Sequence, residues 1–160
     1  MTTDALTQIR TCKHLYLDEI SEPSDNELRV VVSEALMGEP VDPKTLADDP
    51  HLQDLLAGAG ARAIVRSAES RVFVLSWSTY VAYSVRNESF VLADKYEEFE
   101  GRLLLKFGKS RYLDFVAAAA LADNDYPGPL QHWGLACLNH IVDIVSIEKP
   151  VVTMTASVST

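Results

Sequence analysis

The stretch from Arg71 to Phe90, "RVFVLSWSTYVAYSVRNESF", most constrains the fold. Valine, phenylalanine, tryptophan and tyrosine crowd it, and such β-branched and aromatic side chains suit a pleated, half-buried surface better than a helix. In its second half Val81, Tyr83, Val85 and Asn87 share one face, while Tyr80, Ala82, Ser84, Arg86 and Glu88 share the other, because side chains alternate along a strand. The run predicts two strands, or one bent strand, at the centre of a sheet-based fold.

Other segments repeat the signal. Lys13 to Ile20 and Glu27 to Leu36 alternate in the same way, and "SEPSDN" between them supplies turn formers, so the pair reads as a long-looped hairpin with Leu28, Val30 and Val32 on its buried face. "ARAIVR" and Arg102 to Phe107 read as further strands, the latter with Leu103, Leu105 and Phe107 on one side. "HWGLACLNHIVDIVSIEKPVVTM" reads as a strand ended at Pro150, although Leu135, Leu138, Ile141 and Val145 also fit a helix, so 133–146 stays open between the two.

Two helices are predicted. One runs over about 50–57, with Asp49 as N-cap, Pro50 in the first turn and Leu52, Leu55 and Leu56 at helical spacing. The other runs over about 111–122, capped by Ser110, with Leu113, Val116, Ala117 and Ala120 as its apolar stripe. Prolines 40, 43 and 50 mark a loop, "DKYEEFEG" (94–101) an acidic connector with a helical turn, and 153–160 a frayed tail. Runs of strands with helices between them, without regular βαβ alternation, argue for α+β: a mainly antiparallel sheet of about six strands with two helices. At 160 residues and 48% hydrophobic content, one globular domain spanning 1–160 is expected.

Charge narrows the function classes. The net charge is -9, and residues 1–60 hold 12 acids against 4 bases while residues 61–160 are nearly balanced, with 11 against 10. Acidic surfaces repel phosphates and anionic lipid heads, so neither nucleic acid nor membrane is expected as a direct partner. No apolar run is long enough to span a bilayer and no secretory signal opens the chain, and with only Cys12 and Cys137 a reduced, cytoplasmic protein is expected.

No motif names a chemistry. The glycines of "GAGAR" follow a helix and precede a strand, the reverse of a dinucleotide fingerprint, and no CxxC or HExxH spacing is present, so no cofactor and no metal site is expected. Cys137 beside His140 has the residue types of a nucleophile and base, but a single cysteine within "GLACLNHIV" reads as a small core hydrophobe. His14 and His51 read as surface residues.

Two polar clusters remain. Asn87 falls on the apolar face of its strand and needs partners, while Arg86 and Glu88 are placed to form a surface ion pair. If Arg86, Asn87 and Glu88 meet His140 and Asp143 on a neighbouring strand, an acid/base pair stands beside an anion-binding group, with His140, Asp143, Asn87 and Glu88 as catalytic candidates and Arg86, Tyr83 and His132 as ligand-binding ones. The expected function, however, is that of a small soluble protein-binding module, of the inhibitor or adaptor kind, whose acidic N-terminal surface faces a basic protein partner. Asp18, Glu19, Glu22, Asp25 and Glu27 around the hairpin turn, and Asp42, Asp48, Asp49 and Asp54 beyond it, would carry that surface. A pocket-containing enzyme or ligand binder is the alternative, and self-association through a strand edge such as Leu28 to Ser33 is a further use of the same segment.

Overall fold

A computed structural model describes residues 4–155. In chain order the described residues form helix α1 (Ala5–Thr11), strands β1 (His14–Ser21) and β2 (Leu28–Pro40), a 3₁₀ turn at Pro43–Thr45, helix α2 (Pro50–Gly58), strands β3 (Arg62–Val65), β4 (Val72–Trp77) and β5 (Ala82–Asn87), a 3₁₀ turn at Glu88–Phe90, strands β6 (Glu98–Gly101) and β7 (Leu104–Lys109), helix α3 (Arg111–Ala119), and strands β8 (Gln131–Ala136), β9 (His140–Ser146) and β10 (Val151–Thr155). The α+β expectation holds, but the strands number ten rather than about six and make two antiparallel sheets instead of one.

The first sheet runs β1-β2-β4-β10, with β3 added to the far end of β2. Its core face follows the alternation read from the sequence. Leu28, Val30 and Val32 stand directly opposite Trp77, Leu75 and Phe73, and all six side chains are fully buried. The second sheet runs β5-β9-β8-β7-β6. Leu104, Leu135 and Val142 align across three of its strands, Trp133 lies opposite Ile144, and all join the first sheet's residues in one hydrophobic core. The two sheets therefore bury their apolar faces against each other, the arrangement that alternating strands require.

Side chains from the second sheet's turns tie it to β1. Asn139, between β8 and β9, accepts from the Leu17 amide and donates to the Leu17 carbonyl, both at 3.0 Å, next to the bulge at Leu17/Glu19. Arg102 donates to the carbonyls of Cys12 and Lys13.

Several expectations need correction. Helix α1 was not expected: it is one turn longer than a nucleus, and its single buried residue, Ile9, joins the core while Arg71 reaches the Gln8 carbonyl and the Thr11 hydroxyl from β4's start. The alanine-rich helix stops at Ala119, where Ala120 turns extended, and of its expected stripe only Val116 is buried. Residues 98–101 of the acidic connector form β6, because β7 offers a free edge to pair with. The segment 133–146 is two strands and not one, folded back at 137–139. Residues 153–155 of the expected frayed tail belong to β10, paired with β4; the rest of that tail lies outside the described residues. The Leu28–Ser33 edge proposed for self-association is no edge, since β1 and β4 flank it on both sides.

Candidate functional site

Strand β5 pairs with β9 so that Asn87 faces His140 and Ser84 faces Asp143. The two polar clusters do meet, but the pleat separates their members. Asn87, His140 and Tyr83 belong to the side of the sheet that carries Val142 and Ile144 into the core, while Ser84, Arg86, Ile141 and Asp143 belong to the outer side. His140 and Asp143 are thus not partners.

Each candidate has its own occupation. The Asn87 side chain is exposed and accepts from the Ser89 amide, capping the 3₁₀ turn in which Glu88 lies exposed, so it finishes its strand rather than entering a buried cavity. Arg86 does not pair with Glu88 but with Asp143, through Nε at 3.1 Å and Nη2 at 3.0 Å. Tyr83 packs edge-on against Tyr80 beside the core, away from Arg86. Nδ1 of His140 is buried with no hydrogen-bond partner among the described residues.

The group that does assemble is one the sequence did not announce. Because β8 and β9 are antiparallel, with Gly134 opposite Asp143, His132 reaches Asp143 diagonally across the ladder: Nε2 to Oδ1 is 2.9 Å. On its other side Nδ1 lies 2.6 Å from the Ser110 hydroxyl. The carboxylate already accepts from Arg86, so His132 Nε2–H donates to it and Nδ1 accepts from Ser110; the Ser110 oxygen in turn accepts the Leu113 amide at the start of α3. Gly134 makes room for this: a Cβ there would stand 2.8 Å from the Phe107 ring, which lies stacked on the His132 imidazole at 4.1 Å.

Ser110, His132 and Asp143 have the residue types of a nucleophilic triad, but not its accessibility. Ser110 is fully buried, its oxygen is occupied as a helix cap, and the adjoining cavity is lined by Asp143 without Ser110 or His132. The chain Arg86–Asp143–His132–Ser110 is therefore a satisfied polar relay that fixes α3 on the sheet, with only its Arg86 end half-exposed. Cys137 is no nucleophile either, since burial, with a smaller push from Asp18, raises its thiol to about 12.

The nine acidic candidates fall into two groups along the chain. In the β1–β2 hairpin Asp18 pairs with Arg66, Glu19 with Arg29, Glu22 with the Tyr80 hydroxyl and Glu27 with Ser24, while Asp25 lies exposed in the turn. Asp42, Asp48, Asp49 and Asp54 lie beyond the other end of β2, in the turn and helix that lead to β3.

The second group sits on an arm. Beyond the reach of β1 and β4, residues 36–40 of β2 pair only with β3, and α2 lies between the two strands in the chain. Asp42 and Asp49 cap its turn and helix through the amides of Lys44 and His51, and all four acids are exposed with no ion pair among the described residues. Helix α2 fully buries no residue; Leu52 and Leu55 are 46% and 57% exposed, and elsewhere in the same segment Met37, Leu46, Ile64 and Val65 are exposed too.

Among the described residues no helix is long and apolar enough to cross a membrane, and no group of three or more histidine, cysteine or carboxylate side chains is placed to hold a metal ion. Compared with known proteins, the chain matches no family model, and no curated protein or solved structure matches it significantly.

Proposed function

We propose that the protein is a protein-binding module whose contact surface is the arm of residues 36–66, and that its partner is a basic, amphipathic protein segment. The observation that supports this reading is the arm's composition: six exposed large apolar side chains on a structure that stands off the core, interspersed with carboxylates that have no basic partner. A helix with an apolar stripe gains its stability by burying it, so a capped helix that fully buries no residue, with only Leu56 of its leucines half-buried, has Leu52 and Leu55 left for another surface. The unpaired acids select the charge of that other surface and speed its approach.

The test uses a short helical peptide of leucine and lysine as the basic amphipathic probe, with binding followed by calorimetry and by amide shifts. Leu52→Asp/Leu55→Asp, made together, adds two negative charges to the arm. Attraction by charge alone then tightens binding, whereas docking on the arm weakens it by about tenfold or more. Weakening, with shifts confined to 36–66, supports the reading; tightening, or shifts spread equally over Glu19, Glu22, Asp25 and Glu27 of the hairpin, overturns it. Arm-mediated dimerisation, read by light scattering and abolished by the same double substitution, would replace the foreign partner with a second copy.

A further inference from the structure

On the opposite sheet, residues 88–97 pass over the outer face of β5 and β9 and enclose a cleft. Two adjoining cavities, about 600 Å³ and 480 Å³, share the lining residues Arg86, Val91, Leu92, Ala93, Asp94 and Glu97. The larger continues past polar groups, Ser84, Arg111, Tyr112 and Asp143; the smaller continues past apolar ones, among them Phe99, Leu105, Phe107 and Ile141. Volumes of this size suit a small molecule, and a polar compartment opening into an apolar one suits an amphipathic molecule.

Pairing among the lining charges decides the sign of the head group. Arg86 is held by Asp143 and Arg111 by Asp94, while Arg102, at the far end of the apolar cavity, donates to the carbonyls of Cys12 and Lys13. Among the described residues the Glu97 carboxyl has neither a hydrogen bond nor an ion pair, and it lines both cavities where they join. An anion would find both nearby arginines of the polar cavity already compensated and three carboxylates around it. A cation would find Glu97 open.

We propose that this cleft binds an amphipathic monocation, a primary amine on an apolar chain, with its ammonium on Glu97 and its chain along Phe99, Leu105, Phe107 and Ile141. Burial pushes the Glu97 carboxyl above its ordinary range; Arg86 opposes this, and Asp143 and Asp94 push it further up. Glu97 must ionise to receive an ammonium, so affinity rises with pH through that elevated value, and a bound cation lowers it.

Hexylammonium, hexanoate and hexanol carry one chain under three heads and serve as probes for calorimetry and amide shifts. Hexylammonium is expected to bind roughly tenfold more tightly than either of the others, with shifts at 86, 91–97 and 141, and to lose that margin in Glu97→Gln but keep it in Glu98→Gln. Because Phe99 is half-exposed, Phe99→Ala is a second, mild variant in which the advantage of hexylammonium over propylammonium shrinks. Equal binding of the three heads, an unchanged margin in Glu97→Gln with retained fold, or shifts scattered over the acidic arm overturns the proposal. These outcomes are independent of whether the arm binds a protein.

Discussion

Ser110 shows how one side chain serves two structures. The cap of α3 was legible, since a serine before "RYLDFV" is where a helix needs an acceptor for its first amides, and the Leu113 amide is what it receives. Its second bond, to His132, was not legible, because 22 residues, helix α3 and a loop separate them in the chain. Ser110→Ala removes the cap and leaves a buried imidazole nitrogen without its donor, so it is expected to lower stability by about 2–3 kcal/mol. Denaturant unfolding measures this; a loss below about 0.5 kcal/mol, the range of neutral surface changes, would show that the relay does not hold α3. The nearby arginine illustrates the complementary failure. Arg86 and Glu88 share a strand face two residues apart, yet Asp143 on the next strand is buried and holds Arg86 through Nε and Nη2, which a solvated neighbour cannot rival.

At the scale of elements, periodicity served well where one face was buried and poorly where pairing decided. β2, β4 and the paired strands of the hairpin follow their two-residue alternation, and α2 begins at its aspartate and proline as read. β6 and β10 carry weak signals of their own and exist because β7 and β4 present free ladders. The turn at 137–139 has no local signal, because "CLN" lacks glycine or proline; its conformation is supported by the Asn139 side chain, which substitutes for a missing strand along β1. Asn139→Ala is expected to cost about 1–3 kcal/mol and to speed hydrogen exchange of the Leu17 amide. Unchanged exchange at Leu17 would mean that the two sheets are held by core packing alone.

At the scale of the whole molecule, both sheets draw on one core, and α1 is secured to the first by Arg71. Its guanidinium grips Glu34 through Nε and Nη2, both at 2.8 Å, and reaches the end of α1. Hydrogen bonds from Arg71 hold the Glu34 carboxyl below its ordinary value of 4.5, against the opposing effect of burial. A carboxyl whose pKa is depressed on folding stabilises the fold above its unfolded value and loses that contribution as pH falls through the folded one. Stability is therefore expected to fall as pH drops below about 4.5, and Arg71→Ala to flatten that dependence while costing about 1–3 kcal/mol at neutral pH, as read by thermal unfolding across a pH series. An undiminished acid dependence in Arg71→Ala would assign it to other carboxylates.

Composition and local pattern by themselves determined the α+β class, the hairpin, the β4 core strand, both helix caps at Asp49 and Ser110, and the acidic bias of the first 60 residues. These are properties of neighbours in the chain, where spacing and side-chain chemistry act directly. Only the tertiary structure decided that the strands divide into two sheets, that His132 and not His140 meets Asp143, that Asp18 pairs with Arg66, and that Glu97 stands unpaired in a cleft. Strand register makes the difference: a shift of one residue moves every side chain to the other face, and no local pattern records which distant strand sets the register.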